Sequence, residues 1–149
     1  SRNKNVNFIL GDLTKLPSED TSFDLAICSL ALTHFQQMDK VLAELSRVIR
    51  KGGHLVISDI HPWLVALGGQ AEFRDKLGKL GYVTNYIHWH SDYINAFHKH
   101  NLKLIQCLEP TLEPKHVKLA QQGFNLSSKT VAAALQGLPI ALIWVLEKA

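Results

Sequence analysis

The chain has 149 residues, 46% of them hydrophobic and 19% charged, with a formal net charge of +3. That is the size of one domain, expected over residues 1–149, and it is too apolar for a disordered tail. No run of about 18 apolar residues is present to span a membrane, and no basic cluster exceeds Arg50-Lys51, so neither a membrane nor a nucleic acid is an expected partner.

The first apolar run, Val6 to Leu10, ends at Gly11-Asp12 and predicts a strand. Before it, Ser1-Arg2-Asn3-Lys4-Asn5 is polar and leads into no signal-peptide core. Thr14 to Ser22 carries Pro17, Ser18, Glu19 and Asp20, a polar loop. Phe23 to Ser29 predicts a second strand. Its Leu25–Cys28 core is apolar without alternation, as when helices cover both faces of a parallel sheet. Met38 to Lys51 predicts a helix, because Val41, Leu42, Leu45, Val48 and Ile49 form one stripe. Arg47, Arg50 and Lys51 suit its negative dipole end, and Gly52-Gly53 supplies the stop. His54 to Ile60 follows as a third strand, completing a right-handed βαβ unit.

Ala71 to Leu80 has a helical pattern interrupted by Gly78, and Tyr82 to Trp89 is rich in β-formers. Ser91 to His100 predicts a helix with Ser91 as N-cap. Leu102 to Leu108 is a strand closed by Glu109-Pro110. Pro114–Gln122 and Ser127–Gln136 are expected as short helices, and Ile140–Leu146 as the last strand. The class is α/β. Cys28 and Cys107 both sit in apolar runs, which predicts buried, reduced thiols and a cytoplasmic location.

Three predicted strands end in polar residues, Asp12, Ser29 and Asp59. Ligands of open parallel sheets bind beyond the carboxyl ends of the strands. There these side chains either accept hydrogen bonds from a ribose or exocyclic amine, or cap the following turn.

Four segments in order carry a resemblance: Gly11-Asp12-Leu13-Thr14-Lys15-Leu16-Pro17, then Ser22-Phe23-Asp24-Leu25-Ala26-Ile27, then Leu32-Thr33-His34, then Leu42-Ala43-Glu44-Leu45-Ser46-Arg47-Val48-Ile49-Arg50-Lys51-Gly52-Gly53. Together they resemble the class I S-adenosylmethionine-dependent methyltransferases, in the small-molecule branch of ubiquinone and menaquinone-type enzymes. Ser91-Asp92-Tyr93, Glu109-Pro110 and Leu146-Glu147-Lys148 are similar to the closing segments of that family. The resemblance implies S-adenosylmethionine as cofactor, a small-molecule acceptor, and a partial Rossmann-like sheet with an antiparallel C-terminal strand and helices on both faces. It also implies that Asp12 accepts the adenine amino group and that the Leu13 amide faces the adenine ring. Ser29 and Leu30 would border the methionine moiety, and His34 would close that loop.

The first strand, glycine-rich loop and ribose-binding acid of the family would precede Ser1, and no G-x-G-x-x-G follows a strand in this chain. About half of a cofactor site is therefore expected here, with little or no turnover from these residues alone. In the family order, Val6–Leu10 has lost its neighbours. The expected sheet is Phe23–Ser29, His54–Ile60, Ile140–Leu146, Leu102–Leu108, the first pair parallel and the third strand antiparallel to both of its neighbours. Val6–Leu10 is then displaced or holds the edge in some other way.

The chain has 8 histidines. His88 and His90 share one face of a predicted strand, whereas His98 and His100 diverge on a predicted helix. No Cys, Asp or Glu stands at zinc spacing beside them, so no metal is expected. His61-Pro62-Trp63 lies just past Asp59, where acceptors sit in the resembling family. His61 is either a general base or a strand-end cap, and Trp63 either touches the acceptor or packs as core. Tyr82, Tyr86, Trp89 and Tyr93 either roof an apolar substrate or serve as core. Tyr86 and His88 are the further acceptor candidates. The chemistry expected of the complete site is in-line methyl transfer by proximity and orientation. The alternative is a non-catalytic module whose open sheet edge pairs with a partner or a second copy in a homodimer. A dinucleotide-dependent oxidoreductase lacks its fingerprint here.

Overall fold

A computed structural model describes residues 6–111, 134 and 136–149. In chain order these residues form β1 (Phe23–Ser29), a single 3-10 turn (Leu32–His34), α1 (Asp39–Val48), β2 (Ile49–Ile60) and α2 (Pro62–Ala66). Then come β3 (Ala71–Arg74), β4 (Leu80–Val83), α3 (His90–Lys99), β5 (Leu102–Leu108) and β6 (Ala141–Lys148). The main sheet is ordered β1–β2–β6–β5, the expected order. β1 runs parallel to β2, pairing Ala26 with Leu55 and Cys28 with Ile57. β6 runs antiparallel to both β2 and β5. The carboxyl ends of β1, β2 and β5 therefore share one end of the sheet.

The alternation of β2 and β6 decides where the core sits. Leu55 and Ile57 are fully buried, opposite Leu146 and Trp144. Onto this face α1 lays Val41, Leu42, Leu45 and Val48, and α3 lays Tyr93, Ala96 and Phe97, all in one cluster. Trp144 meets Phe97 edge-on at 5.4 Å and Tyr93 at 5.5 Å, geometries that aromatic quadrupoles favour. Each such large apolar side chain gains about 1.5–3 kcal/mol from burial. On the other face Leu25 and Ile27 are 52% and 68% exposed. Among the described residues both long helices lie on the first face. The expected helices Pro114–Gln122 and Ser127–Gln136 fall on or run into residues outside the described set.

Several local expectations are corrected. Val6–Leu10 forms no strand, and Phe8 and Leu10 stand almost wholly exposed, because among the described residues no neighbouring strand takes up its backbone groups. Gly52-Gly53 does not end α1, which stops at Val48 and passes directly into β2. The glycines instead allow an excursion between the pairs Phe23–Ile49 and Leu25–His54. Gly52 has φ +76, and a Cβ on Gly53 would fall 2.9 Å from the Asp24 carbonyl oxygen. Ala71–Leu80 is not a helix. Its turn chemistry overrides its periodicity, since Asp75 Oδ1 accepts from both Leu77 N–H and Lys79 N–H at 2.9 Å and makes the β3–β4 hairpin. Phe73 lies across Gly81 of the paired strand, where a Cβ would stand 2.6 Å from the ring. α3 begins at His90 with Trp89 as N-cap rather than Ser91, because the Asp92 carboxylate reaches back to the Trp89 N–H at 2.8 Å. Cys28 is buried as expected, but Cys107 is exposed on the edge strand β5. None of the described helices is long and apolar enough to cross a membrane.

Candidate active site

The carboxyl end of the sheet gathers most of the residues singled out above. β1 ends at Ser29, whose Oγ accepts from Ser58 Oγ at 2.8 Å. Leu30 then turns the chain with φ +51, its N–H donating to the Ser58 carbonyl at 2.8 Å and its side chain left 61% exposed. That backbone state is uncommon for a branched side chain. It is over-determined here by the bond to β2 and by the next residues.

Asp59 supplies that second restraint. It is 2% exposed, and its two carboxylate oxygens accept separately, Oδ2 from Thr33 N–H at 2.8 Å and Oδ1 from Ile60 N–H at 2.9 Å. Burial raises its pKa, against the pull of these two donors. The neighbouring Cys28 thiol is pushed up to about 11 by burial and by the Asp59 charge, which makes it an inert core group. Thr33 continues the chain of contacts, exchanging bonds with Tyr86 through its backbone oxygen at 2.7 Å and its hydroxyl at 3.3 Å.

The other candidates separate into two groups. Asp12 is exposed, and its Oδ1 accepts from both the N–H and the hydroxyl of Thr14 at 2.8 Å, which lowers its pKa and makes it a turn-former. Leu13 packs partly buried on the core. His34 directs Nδ1 to the Thr84 carbonyl at 3.3 Å, so it ties the loop to the segment after β4. His88 is buried with Nε2 on the Phe35 carbonyl at 2.8 Å. Tyr86, His88 and Thr33 line a cavity of about 10 Å³, the scale of one water and far below an acceptor molecule. His88 also borders an open groove of about 580 Å³ whose walls mix polar side chains such as Gln36, Asp92 and Lys99 with the apolar Met38 and Ile87.

His61 caps α2. Its Nδ1 faces the Trp63 N–H at 3.4 Å and its Nε2 lies 3.0 Å from Glu109 Oε1. Trp63 donates its indole N–H to the Pro139 carbonyl at 2.6 Å, so it links α2 to the start of β6. His90, from the first turn of α3, also places Nε2 on Glu109 Oε1, at 2.9 Å. These two imidazoles hold the Glu109 carboxyl below the usual range, His61 foremost, while partial burial opposes them. The sequence paired His90 with His88 and gave Glu109 only as a strand end, so neither was expected beside His61. The signal was available, because His61 and Glu109 directly follow two same-direction strands that only β6 separates, so the sheet order puts them side by side.

A sheet ordered in this way, with a buried carboxylate at its carboxyl end, has the fold of solved S-adenosylmethionine-dependent methyltransferases. Residues 1–57 match the family described as a methyltransferase domain. Demethylmenaquinone methyltransferases from Renibacterium salmoninarum and Paenarthrobacter aurescens are each 42% identical over 62 residues, 41% of this chain and 26% and 24% of theirs. The matched segment thus spans about a quarter of the length of these curated relatives. The solved structure of an S-adenosylmethionine-dependent methyltransferase from Mesorhizobium loti superposes with a TM-score of 0.64 over 92% of this chain and 67% of its own, at 20% identity. A geranyl diphosphate C-methyltransferase from Streptomyces coelicolor, solved with S-adenosyl-L-homocysteine, gives 0.65 over 95% and 53%, at 11% identity.

Proposed function

We propose that the protein transfers the methyl group of S-adenosylmethionine to a small, largely apolar acceptor, and that these residues form one side of the cofactor site. What supports the reading is the meeting of Ser29, Leu30 and the Asp59-anchored loop at the carboxyl ends of β1 and β2, in a chain whose first 57 residues match the methyltransferase domain. The curated relatives include a demethylmenaquinone methyltransferase and a sterol 4-C-methyltransferase. When bound, the cofactor supplies an electrophilic methyl on a sulfonium. A cation of this kind needs directional hydrogen bonds and an apolar slot more than a phosphate cradle. Leu13 and Leu30 offer the apolar side, and Asp12 and Ser29 the polar atoms.

His61 is the proton acceptor in this proposal. Glu109 takes its Nε2–H, fixes the tautomer and would stabilise an imidazolium, and the long 3.4 Å contact with Trp63 N–H is the one that gives way to expose Nδ1. Trp63, Tyr86 and His88 frame the neighbouring loop as its supports. Most of the rate would come from proximity and orientation. Because no glycine-rich cofactor loop follows a strand in the chain, these 149 residues bind the cofactor weakly, above micromolar concentrations, and turn over slowly if at all. Titration of the chain with S-adenosylhomocysteine, followed by amide NMR, tests the site. Movement of the Leu13, Ser29 and Leu30 signals is expected, and their stillness while other regions move overturns it.

A second reading has its own observation. Among the described residues β1 is an edge of the sheet, with Leu25 and Ile27 exposed, a surface suited to a second copy of the chain. Under this reading the module associates without catalysis, and sedimentation gives a dimer with no cofactor-dependent shifts.

A further inference from the structure

The cluster of His61, His90 and Glu109 has a property that proton transfer does not require. Three elements distant in sequence deliver one ligand atom each: the end of β2 gives His61 Nε2, the first turn of α3 gives His90 Nε2, and the end of β5 gives Glu109 Oε1. These atoms lie within 4.8 Å of one another. Both imidazoles converge on the same carboxylate oxygen, at 3.0 and 2.9 Å. The His61 ring is nine-tenths buried and held at the N-cap of α2. The His90 ring is braced edge-on against the buried Trp144 at 5.6 Å. The Glu109 side chain is 45% exposed, so one side of the cluster opens to solvent.

We infer that this cluster is a binding site for a divalent ion of borderline softness, of the zinc or cobalt class. Two imidazole nitrogens and one carboxylate oxygen are the donor set such ions prefer, and calcium or magnesium would want more oxygens. Ligand atoms at about 2.0–2.2 Å from a tetrahedral ion stand roughly 3.4 Å apart, so each nitrogen–oxygen pair opens by about 0.4–0.5 Å around the inserted ion, while the two nitrogens, within 4.8 Å of each other, settle to the same spacing. Three protein ligands leave a fourth position toward the solvent, the arrangement of sites that hold a water or an acceptor oxygen rather than of closed structural sites. Ion and proton compete for His61. An ion on Nε2 moves the ring proton to Nδ1, where the weak bond from Trp63 N–H is lost and that amide rejoins the unpaired donors of the first turn of α2. With the ion bound, His61 is a ligand and not a base. The site stands whether or not the chain transfers methyl groups.

The experiment is titration of the untagged full chain with Co²⁺, read by visible absorption, with Zn²⁺ competition to follow. One equivalent of Co²⁺ is expected to give the intense absorption of a four-coordinate ion, displaced by Zn²⁺. His90→Ala and Glu109→Gln, both at partly exposed positions, should each weaken binding on the order of 10–100-fold while the far-UV dichroism stays unchanged. His98→Ala, outside the cluster, should bind as the parent does. The proposal is overturned if the parent gives only the weak absorption of hydrated Co²⁺, which leaves the cluster a hydrogen-bonded clasp. It is equally overturned if folded His90→Ala and Glu109→Gln variants bind as tightly as the parent.

Discussion

Asp59 and Trp144 illustrate how much a single side chain decides. Asp59 uses both oxygens as acceptors, each for a different backbone N–H. An asparagine has one acceptor and must turn its amide donor toward one of those N–H groups. Asp59→Asn should therefore cost about 1–3 kcal/mol in denaturant unfolding and loosen residues 30–34, read as faster amide exchange at Thr33. Trp144 is 2% exposed, and among the described residues its indole N–H has no partner. Phenylalanine removes that orphaned donor together with some area, so Trp144→Phe should lose less than about 1.5 kcal/mol. Trp144→Ala leaves a cavity beneath Tyr93 and Phe97 and should lose about 3–5 kcal/mol. A Trp144→Phe loss as large as that of Trp144→Ala would mean that removing the orphaned N–H offsets none of the lost packing.

At the level of elements, α1 is the anchor for the loop that holds Asp12 and Leu13. Its Arg47 reaches the Leu16 and Ser18 carbonyls, Asp20 and Glu44, while Glu44 accepts the Leu16 N–H at 2.8 Å. The Arg47 guanidinium, foremost, holds the Glu44 carboxyl near 2, down from 4.5. A depressed carboxylate stabilises the fold fully above its ordinary value and progressively less as pH falls toward the folded one. The advantage of the parent over Glu44→Gln should thus be on the order of 1 kcal/mol at pH 7, reduced by solvent screening of this surface pair. It should shrink between about pH 4.5 and 2 in urea titrations, and a gap that is constant across that range contradicts the assignment. The sequence made α1 legible through its apolar stripe, and β2, β5 and β6 through their apolar runs. It misplaced the β3–β4 hairpin because Asp75 and Gly78 build a turn that a 3.6-residue pattern does not register. It misread Gly52-Gly53 because a helix stop and a strand excursion both call for positive φ.

For the molecule as a whole, the unequal faces of the sheet dominate. One carries the core, and the other leaves Leu25 and Ile27 exposed on β1, an edge strand among the described residues. Such an edge templates association in water. Raising the concentration of the chain should increase its sedimentation coefficient, and Ile27→Lys should suppress that increase without lowering the unfolding midpoint. An Ile27→Lys protein that associates like the parent would place the contact elsewhere.

The sequence, with the resemblance it carries, determined the α/β class and the order of the four-stranded sheet, and it placed Ser29 and Asp59, though not Asp12, at strand ends. Periodicity, apolar runs and four ordered motifs are local properties that survive without coordinates. Only the tertiary structure decided which polar atoms meet. His61, His90 and Glu109 are separated by 29 and 19 positions, and their contact depends on three elements arriving at one corner. The fate of Val6–Leu10 was likewise a tertiary matter, since a strand exists only where a neighbour takes up its hydrogen bonds.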